Sequence, residues 1–158
     1  MSHRLRVVAL LGMLVLTASL IACVGGDDEG ADGDAEGGTN DGGGDTQAVQ
    51  VTLGQPHEFG IELSTETAED GSVTFEVTNA GALPHQFAIV QHDGEPGTLP
   101  VSEVTVDTTQ VEILGDSGNL DPGASASIEL DLEPGSYVIF SNTGGHYTAG
   151  MFAAFTVE

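Results

Sequence analysis

Near the end of the chain lies the stretch Tyr137-Val-Ile-Phe-Ser141-Asn-Thr-Gly-Gly-His146-Tyr-Thr-Ala-Gly-Met151. Its first residues favour a β-strand, and the glycines that follow favour a loop. Side chains alternate between the two faces of a strand, so Ser141 shares its face with Tyr137 and Ile139. We therefore expect Ser141 to point inward, toward the mouth of a loop that carries one imidazole and one thioether.

A second imidazole begins another predicted strand far upstream, in Gly81-Ala-Leu-Pro-His85-Gln-Phe. Pro84 restricts the residue before it and helps to set the approach of His85. This stretch and three others resemble the cupredoxins, the family of blue-copper domains, over roughly residues 48 to 158. The other three are Val73-Thr-Phe-Glu-Val-Thr-Asn79, Leu132-Glu-Pro-Gly135-Ser-Tyr and Gly145-His146-Tyr-Thr-Ala-Gly-Met151.

The resemblance implies a single Greek-key β-sandwich with a copper site formed by His85, His146 and Met151 at one end. In the family, the strand before the loop ends in a cysteine whose thiolate binds copper, and this chain has Ser141 at that position. Imidazole suits both oxidation states of copper, whereas the soft thioether prefers Cu(I). A serine hydroxyl is neutral and hard. We therefore expect a thiolate-free site that favours Cu(I), with Ser141 offering at most a weak oxygen contact or a place for a water.

Alternating apolar and polar residues predict an all-β fold of about seven to eight short strands in an antiparallel sandwich or barrel. The clearest alternation places Val73, Phe75 and Val77 on one face. Residues 101–109 fit either a short helix or a strand, and residues 115–122 are predicted to be a polar loop. The predicted strands are 48–53, 58–63, 73–78, 85–90, 110–114, 128–132, 137–141 and 151–157.

The beginning of the chain has the layout of a bacterial lipoprotein signal. Arg4 and Arg6 precede an apolar stretch, residues 7–21, that is too short to span a bilayer comfortably. Leu20-Ile-Ala-Cys23 resembles the lipobox, in which the cysteine becomes the first mature residue and receives acyl chains. Multiple acyl chains give stable anchoring. We therefore expect a signal peptide over residues 1–22 and a lipidated Cys23, at the outer face of the cell membrane or in the periplasm. An uncleaved anchor with an incidental cysteine is the alternative.

Residues 24–46 are rich in Gly, Asp and Glu and nearly free of apolar side chains. Such a segment cannot bury enough surface to offset its loss of conformational entropy. We expect residues 23–47 to be the lipidated cysteine and a disordered acidic linker that spans on the order of 25–30 Å. Residues 48–158 then form the folded domain.

Charge excludes one large class of function. Both basic residues precede Cys23, so the exported chain carries all 25 acidic residues and neither Lys nor Arg. Nothing is left to neutralise phosphates, which excludes nucleic-acid binding. An acidic surface suits solubility or salty surroundings, and it attracts metal cations or a basic partner.

An enzyme is not expected. Ser141 lies outside a Gly-x-Ser-x-Gly frame, and no phosphate-cradling glycine motif joins a strand to a helix. His57 and His92 are assigned to surface positions. We expect Asn142 and Tyr147 to support the loop rather than to touch a metal.

The function that these patterns favour is a membrane-tethered copper-binding protein that handles or stores copper outside the membrane. Two alternatives stay open. One is a metal-free binding module that keeps the sandwich, and the other is an electron carrier with an atypical copper centre.

Replacing Cys23 by Ala is expected to move the protein from the membrane fraction to the soluble fraction, because the acceptor of the acyl chains is lost. Fractionation of cells that express the full-length chain measures this. Thr17→Ala, within the same apolar stretch, is the matched control and should leave the protein in the membrane. A Cys23→Ala protein that stays there would support the uncleaved anchor.

Overall fold

In the computed structural model, which describes residues 47–158, the amphipathic stretch around Phe75 forms a strand inside one sheet. The strands in chain order are β1 (Gln47–Leu53), β2 (Ile61–Leu63), β3 (Thr67–Ala68), β4 (Gly71–Asn79), β5 (His85–Gln91), β6 (Val101–Ser102), β7 (Thr105–Val106), β8 (Gly115–Leu120), β9 (Ser125–Leu132), β10 (Gly135–Phe140) and β11 (Phe152–Val157). Two short 3-10 helices span Pro96–Thr98 and Tyr147–Ala149.

The strands form a sandwich of two sheets. One sheet has the order β2–β1–β4–β9, and the other has the order β3–β11–β10–β5–β8. β1 pairs with β4 in parallel over seven residues, and β3 pairs with β11 in parallel, while the other neighbours are antiparallel. β6 and β7 form a separate two-stranded ribbon. The predicted all-β sandwich is confirmed. Its expected antiparallel arrangement is wrong at the two parallel pairs.

The main core lies between the sheets and contains the inward side chains of both. Val73, Phe75 and Val77 are fully buried on β4, as their alternation predicts. Phe75 contacts Phe87 and Phe155 across the sandwich, with ring centroids 5.2 and 5.3 Å apart. Burying each such side chain contributes about 1.5–3 kcal/mol, so aliphatic and phenylalanine side chains suffice for a core that has no tryptophan.

β10 differs from the amphipathic strands because both of its faces are buried. Tyr137 and Ile139 belong to the main core. Val138 and Phe140 belong to a second apolar cluster, which also contains Leu99. The segment that follows β5 therefore covers the outer face of the second sheet.

Two of the predicted strands differ from the structure. The predicted strand over 110–114 is a turn and irregular segment, and the predicted loop after it contains β8. Val111 and Ile113 alternate because they pack partly buried against the second cluster. A Cβ on Gly115 would lie 2.9 Å from a methyl carbon of Leu130, so a glycine lets β8 close against β9.

The predicted strand over 58–63 is shorter than expected, since only Ile61–Leu63 pairs with β1. The preceding residues turn, with the Gly60 N–H donating to the His57 carbonyl at 2.8 Å. The sequence left a short helix and a strand as alternatives for residues 101–109. These residues form the β6–β7 ribbon and a turn.

The predicted signal peptide, the lipidated Cys23 and most of the predicted linker lie outside the described residues. Within residues 47–158, neither helix is long and apolar enough to cross a membrane.

Candidate metal centre

Three predicted site residues, His85, Ser141 and His146, have side chains in contact at one end of the sandwich. The fourth, Met151, adjoins them through its backbone. His85 is the first residue of β5, Ser141 follows the last residue of β10, and Met151 precedes β11. β10 pairs with both β5 and β11, so these three chain positions are neighbours. His146 lies in the loop between β10 and β11. His85, Ser141 and Met151 are completely buried, and His146 is 7% exposed.

The two imidazoles face each other through the same ring nitrogen. His85 Nδ1 lies 3.1 Å from His146 Nδ1, and the Ser141 hydroxyl lies 3.2 Å from His146 Nδ1. Two donors that share one ion at ~2.0 Å lie about 2.8 Å apart at a right angle and about 3.5 Å apart at a trigonal angle. The spacing of the two nitrogens therefore fits one shared ion.

Ser141 is held by backbone groups on both sides. Its hydroxyl accepts the Gln86 N–H at 3.1 Å, and its own N–H donates to the Met151 carbonyl at 3.2 Å. The Met151 N–H donates in turn to the His146 carbonyl at 3.0 Å. These bonds tie the two ends of the loop together. The side chain of Met151 belongs to the main core.

An aromatic side chain covers one side of the His146 ring. The ring of Phe59 meets it edge-on, with centroids 5.2 Å apart and an interplanar angle of 66°. Burial lowers the pKa of His146, and the neighbouring His85 lowers it further, while Glu58 opposes both. The neutral ring is thereby favoured, which is the form that binds a metal.

The sequence reading missed Glu58, which stands behind His85. Its Oε1 lies 3.0 Å from His85 Nε2. The carboxylate also accepts the N–H groups of Ala82 and Leu83 at 2.8–3.0 Å. These two backbone bonds, with a smaller contribution from His85, lower the pKa of Glu58. The sequence pattern does not predict this contact, because Glu58 fits the alternation of a strand as one of its polar residues.

Asn79 was also missed, and it shapes the loop that leads into His85. It is completely buried. Its amide donates to the carbonyls of Leu83 and Leu120, both at 2.8 Å, and its side-chain oxygen accepts the Gly81 N–H at 2.9 Å. All three of these hydrogen bonds join the Asn79 side chain to backbone groups, and they hold the loop in one conformation.

Two glycines leave room for the histidine. A Cβ on Gly81 would lie 2.6 Å from His85 Nε2 and 2.8 Å from the Glu58 carboxylate. Gly54 has a φ of +80°, and a Cβ there would lie 2.5 Å from the Gly81 Cα. Any larger residue at either position would push the loop away from the site.

No protein-family model matches this chain, and no curated protein matches it. Solved structures do. Auracyanin from the photosynthetic bacterium Roseiflexus castenholzii, in its dithionite-reduced form, is 25% identical, with 72% of this chain and 97% of that chain covered and a TM-score of 0.54. Rusticyanin from Thiobacillus ferrooxidans is 21% identical, with 73% and 79% covered and a TM-score of 0.55. Auracyanin A from Chloroflexus aurantiacus, a "blue" copper protein, is 15% identical, with 70% and 98% covered and a TM-score of 0.51.

The fold is cupredoxin-like. Within this fold, the described residues include no group of three or more His, Cys, Asp or Glu side chains arranged to hold a metal. A metal at this end of the sandwich would therefore need ligands of other types beside the two imidazoles. The hydroxyl of Ser141 and the thioether of Met151 are the candidates.

The other two histidines of residues 47–158 make no contact with the two imidazoles. His57 is exposed. The Nε2 of His92 lies 3.0 Å from the Thr98 hydroxyl, beside the first 3-10 helix.

Asn142 and Tyr147 brace the cupredoxin-like loop against the segment that follows β5. The Asn142 side chain accepts the Val106 N–H at 2.7 Å. The Tyr147 hydroxyl accepts the Leu99 N–H at 2.9 Å and donates to the Pro96 carbonyl at 2.8 Å. Burial raises the pKa of Tyr147, so its hydroxyl keeps the proton that it donates. The ring of Tyr147 packs in the second apolar cluster, and neither side chain bonds to the two imidazoles.

Tyr147→Phe is expected to destabilise the protein by about 1–3 kcal/mol, because two backbone groups lose their partner. Urea unfolding measures this. We also expect faster amide hydrogen exchange in residues 145–150. Tyr137→Phe removes a hydroxyl that donates to the Glu133 carbonyl at 2.6 Å, far from the loop, and is the matched control. Unchanged loop exchange in Tyr147→Phe would contradict the bracing role.

Proposed function

We propose that this chain is a membrane-tethered, extracytoplasmic copper-binding protein that handles or stores copper at a thiolate-free site. His85, His146 and Met151 would hold the ion. The observation that carries the proposal is the 3.1 Å separation of the two Nδ1 atoms, both on buried rings at one end of a cupredoxin-like sandwich. Similarity to solved copper proteins supports the choice of copper.

The chemistry of the donors favours Cu(I). Two neutral imidazoles and a neutral thioether add no charge to the ion, and the soft thioether prefers Cu(I). Bound copper would supply the site with a redox-active soft cation. Ser141 supports the pocket through its backbone contacts, and its hard hydroxyl adds at most a weak oxygen contact.

The residues of this chain would organise the site before the ion arrives. The β-ladders fix Ser141 opposite the start of β5, and the loop bonds hold His146 near His85. Complete burial of three of the four side chains keeps bulk water away. A preformed site lowers the ordering entropy that binding must offset.

The lipid anchor and the linker would keep this site near the membrane surface while letting it reach outward. The lipobox-like sequence at Cys23 and the Gly- and Asp-rich residues after it support this part of the proposal. The acidic chain, which has neither Lys nor Arg after Arg6, would attract cations.

We propose a binding role rather than an enzymatic one. Ser141 lies beside His146, as a nucleophile lies beside its base, but its side chain is completely buried. An acyl substrate would have no access to the hydroxyl, and nucleophilic catalysis needs the attacking atom to reach the substrate.

Electron transfer is the second candidate. The similar structures include auracyanin and rusticyanin in reduced forms, which favours a redox role. The position of the family cysteine carries Ser141, so a centre of this kind would lack the thiolate that tunes blue copper. We therefore place copper handling first.

His85→Ala and His146→Ala are each expected to weaken copper binding about 100-fold or more, because losing a ligand costs more than losing its supporting contact. Anaerobic competition with a chromophoric chelator measures Cu(I), and a separate titration measures Cu(II). His92→Ala, just beyond the opposite end of β5, is the matched control. Unchanged binding in both site variants would place the metal elsewhere. If the unmodified protein binds no copper, the remaining alternative is a metal-free binding module.

Ser141→Cys is expected to turn the Cu(II)-loaded protein blue, because it restores the thiolate to a site with two imidazoles and a thioether. Visible absorption of the copper-loaded protein measures this. Ser141→Ala should stay colourless and still bind Cu(I). A colourless Ser141→Cys protein with Cu(II) bound would mean that the four positions no longer converge.

A further inference from the structure

The carboxylate of Glu58 makes four acceptor contacts, all with the segment that carries His85. Its Oε1 accepts the N–H groups of Ala82 and Leu83 at 3.0 and 2.8 Å, and its Oε2 accepts Ala82 at 3.0 Å. The fourth contact is with His85 Nε2 at 3.0 Å. The side chain is 31% exposed, so one edge of it reaches water.

These contacts determine which nitrogen of His85 carries a proton. An ionised carboxylate only accepts hydrogen bonds, so the Nε2 of His85 must be the donor. The Nδ1 of the neutral ring then bears a lone pair, and this atom faces His146. A carboxylate behind a ligating imidazole fixes the tautomer and the orientation of the ring.

The charge of Glu58 has no cationic side chain to balance it. The chain contains neither Lys nor Arg after Arg6. Among the described residues, the ring of His85 is the one salt-bridge partner of a carboxylate. The negative charge therefore acts on His85 and on any ion that the ring holds, although water at the exposed edge of the carboxylate screens part of it.

We propose that Glu58 is a positioning residue for a copper ion: it holds His85 with its Nδ1 lone pair toward His146, and it supplies a nearby negative charge in place of the missing thiolate. This inference rests on the copper-binding function proposed above. A negative charge stabilises Cu(II) more than Cu(I), so Glu58 lets a site of neutral ligands retain copper in both oxidation states.

Two variants separate charge from hydrogen bonding. Glu58→Gln removes the charge and keeps a carbonyl acceptor for His85, while Glu58→Ala removes both. The matched control is Glu62→Gln, which removes an equal charge from an exposed position on β2. Circular dichroism and thermal unfolding of the full-length protein establish that each variant is folded.

The first measurement is copper affinity. We expect Glu58→Gln to weaken Cu(II) binding about 10-fold and Glu58→Ala up to about 100-fold, the range for loss of a contact behind a ligand. Cu(I) binding should weaken less. Each tenfold difference between the two losses raises the reduction potential by ~59 mV, which voltammetry detects. Glu62→Gln should change none of these values.

The second measurement needs no copper. Nitrogen-15 NMR of the metal-free protein reports which ring nitrogen of His85 carries the proton. We expect Nε2–H in the unmodified protein and in Glu62→Gln, and a mixture of tautomers in Glu58→Ala. A residue that only supports the fold would not change this signature.

The outcomes distinguish this inference from the proposed function. If copper binds the unmodified protein and both Glu58 variants equally well, the role of Glu58 is wrong and the copper site stands. If the unmodified protein binds no copper, the proposed function fails, and with it the charge role. An unchanged His85 tautomer in Glu58→Ala would remove the positioning role in either case.

Discussion

The hydrogen-bond ladders on the two sides of β10 are the constraint on which the candidate site depends. Phe140 pairs with Ala88 on β5 and with Phe152 on β11. The next residue, Ser141, therefore meets the start of one strand and the chain entering the other. A slip of one residue would exchange the two faces of β10. Because both faces are buried in separate apolar clusters, such a slip would disturb two cores at once.

Side chains that bond to backbone then convert this framework into a site of fixed shape. Asn79 and Glu58 hold the loop before His85, and Asn142 and Tyr147 hold the loop around His146. Every buried side-chain nitrogen and oxygen of the described residues has a hydrogen-bond partner. The two imidazoles are therefore supported from behind and face each other, and rigid support of this kind is what precise ligand geometry requires.

The sequence predicted the parts of this arrangement that depend on local periodicity. Alternation located β4 and placed Tyr137 and Ile139 on the core face of β10. It failed at residues 110–114, where Val111 and Ile113 alternate because they cover the second cluster rather than because they pair with a strand. Periodicity also gave no sign that Glu58 contacts His85, 27 residues away, since that contact depends on how two loops pack. The meeting of His85 with His146 came from resemblance to a family and not from spacing.

The pairing of β1 has a mechanical consequence. β1 is the first described strand, and it is bound to β4 over seven residues in parallel and to β2 on its other edge. Tension that reaches Gln47 from the preceding chain pulls along the axis of β1, so it loads these bonds together in shear instead of opening them one after another. The far end of β1 abuts the loop before His85 through Gly54 and Gly81. The hydrogen bonds of the sheet would therefore bear the tension before it could displace the two imidazoles.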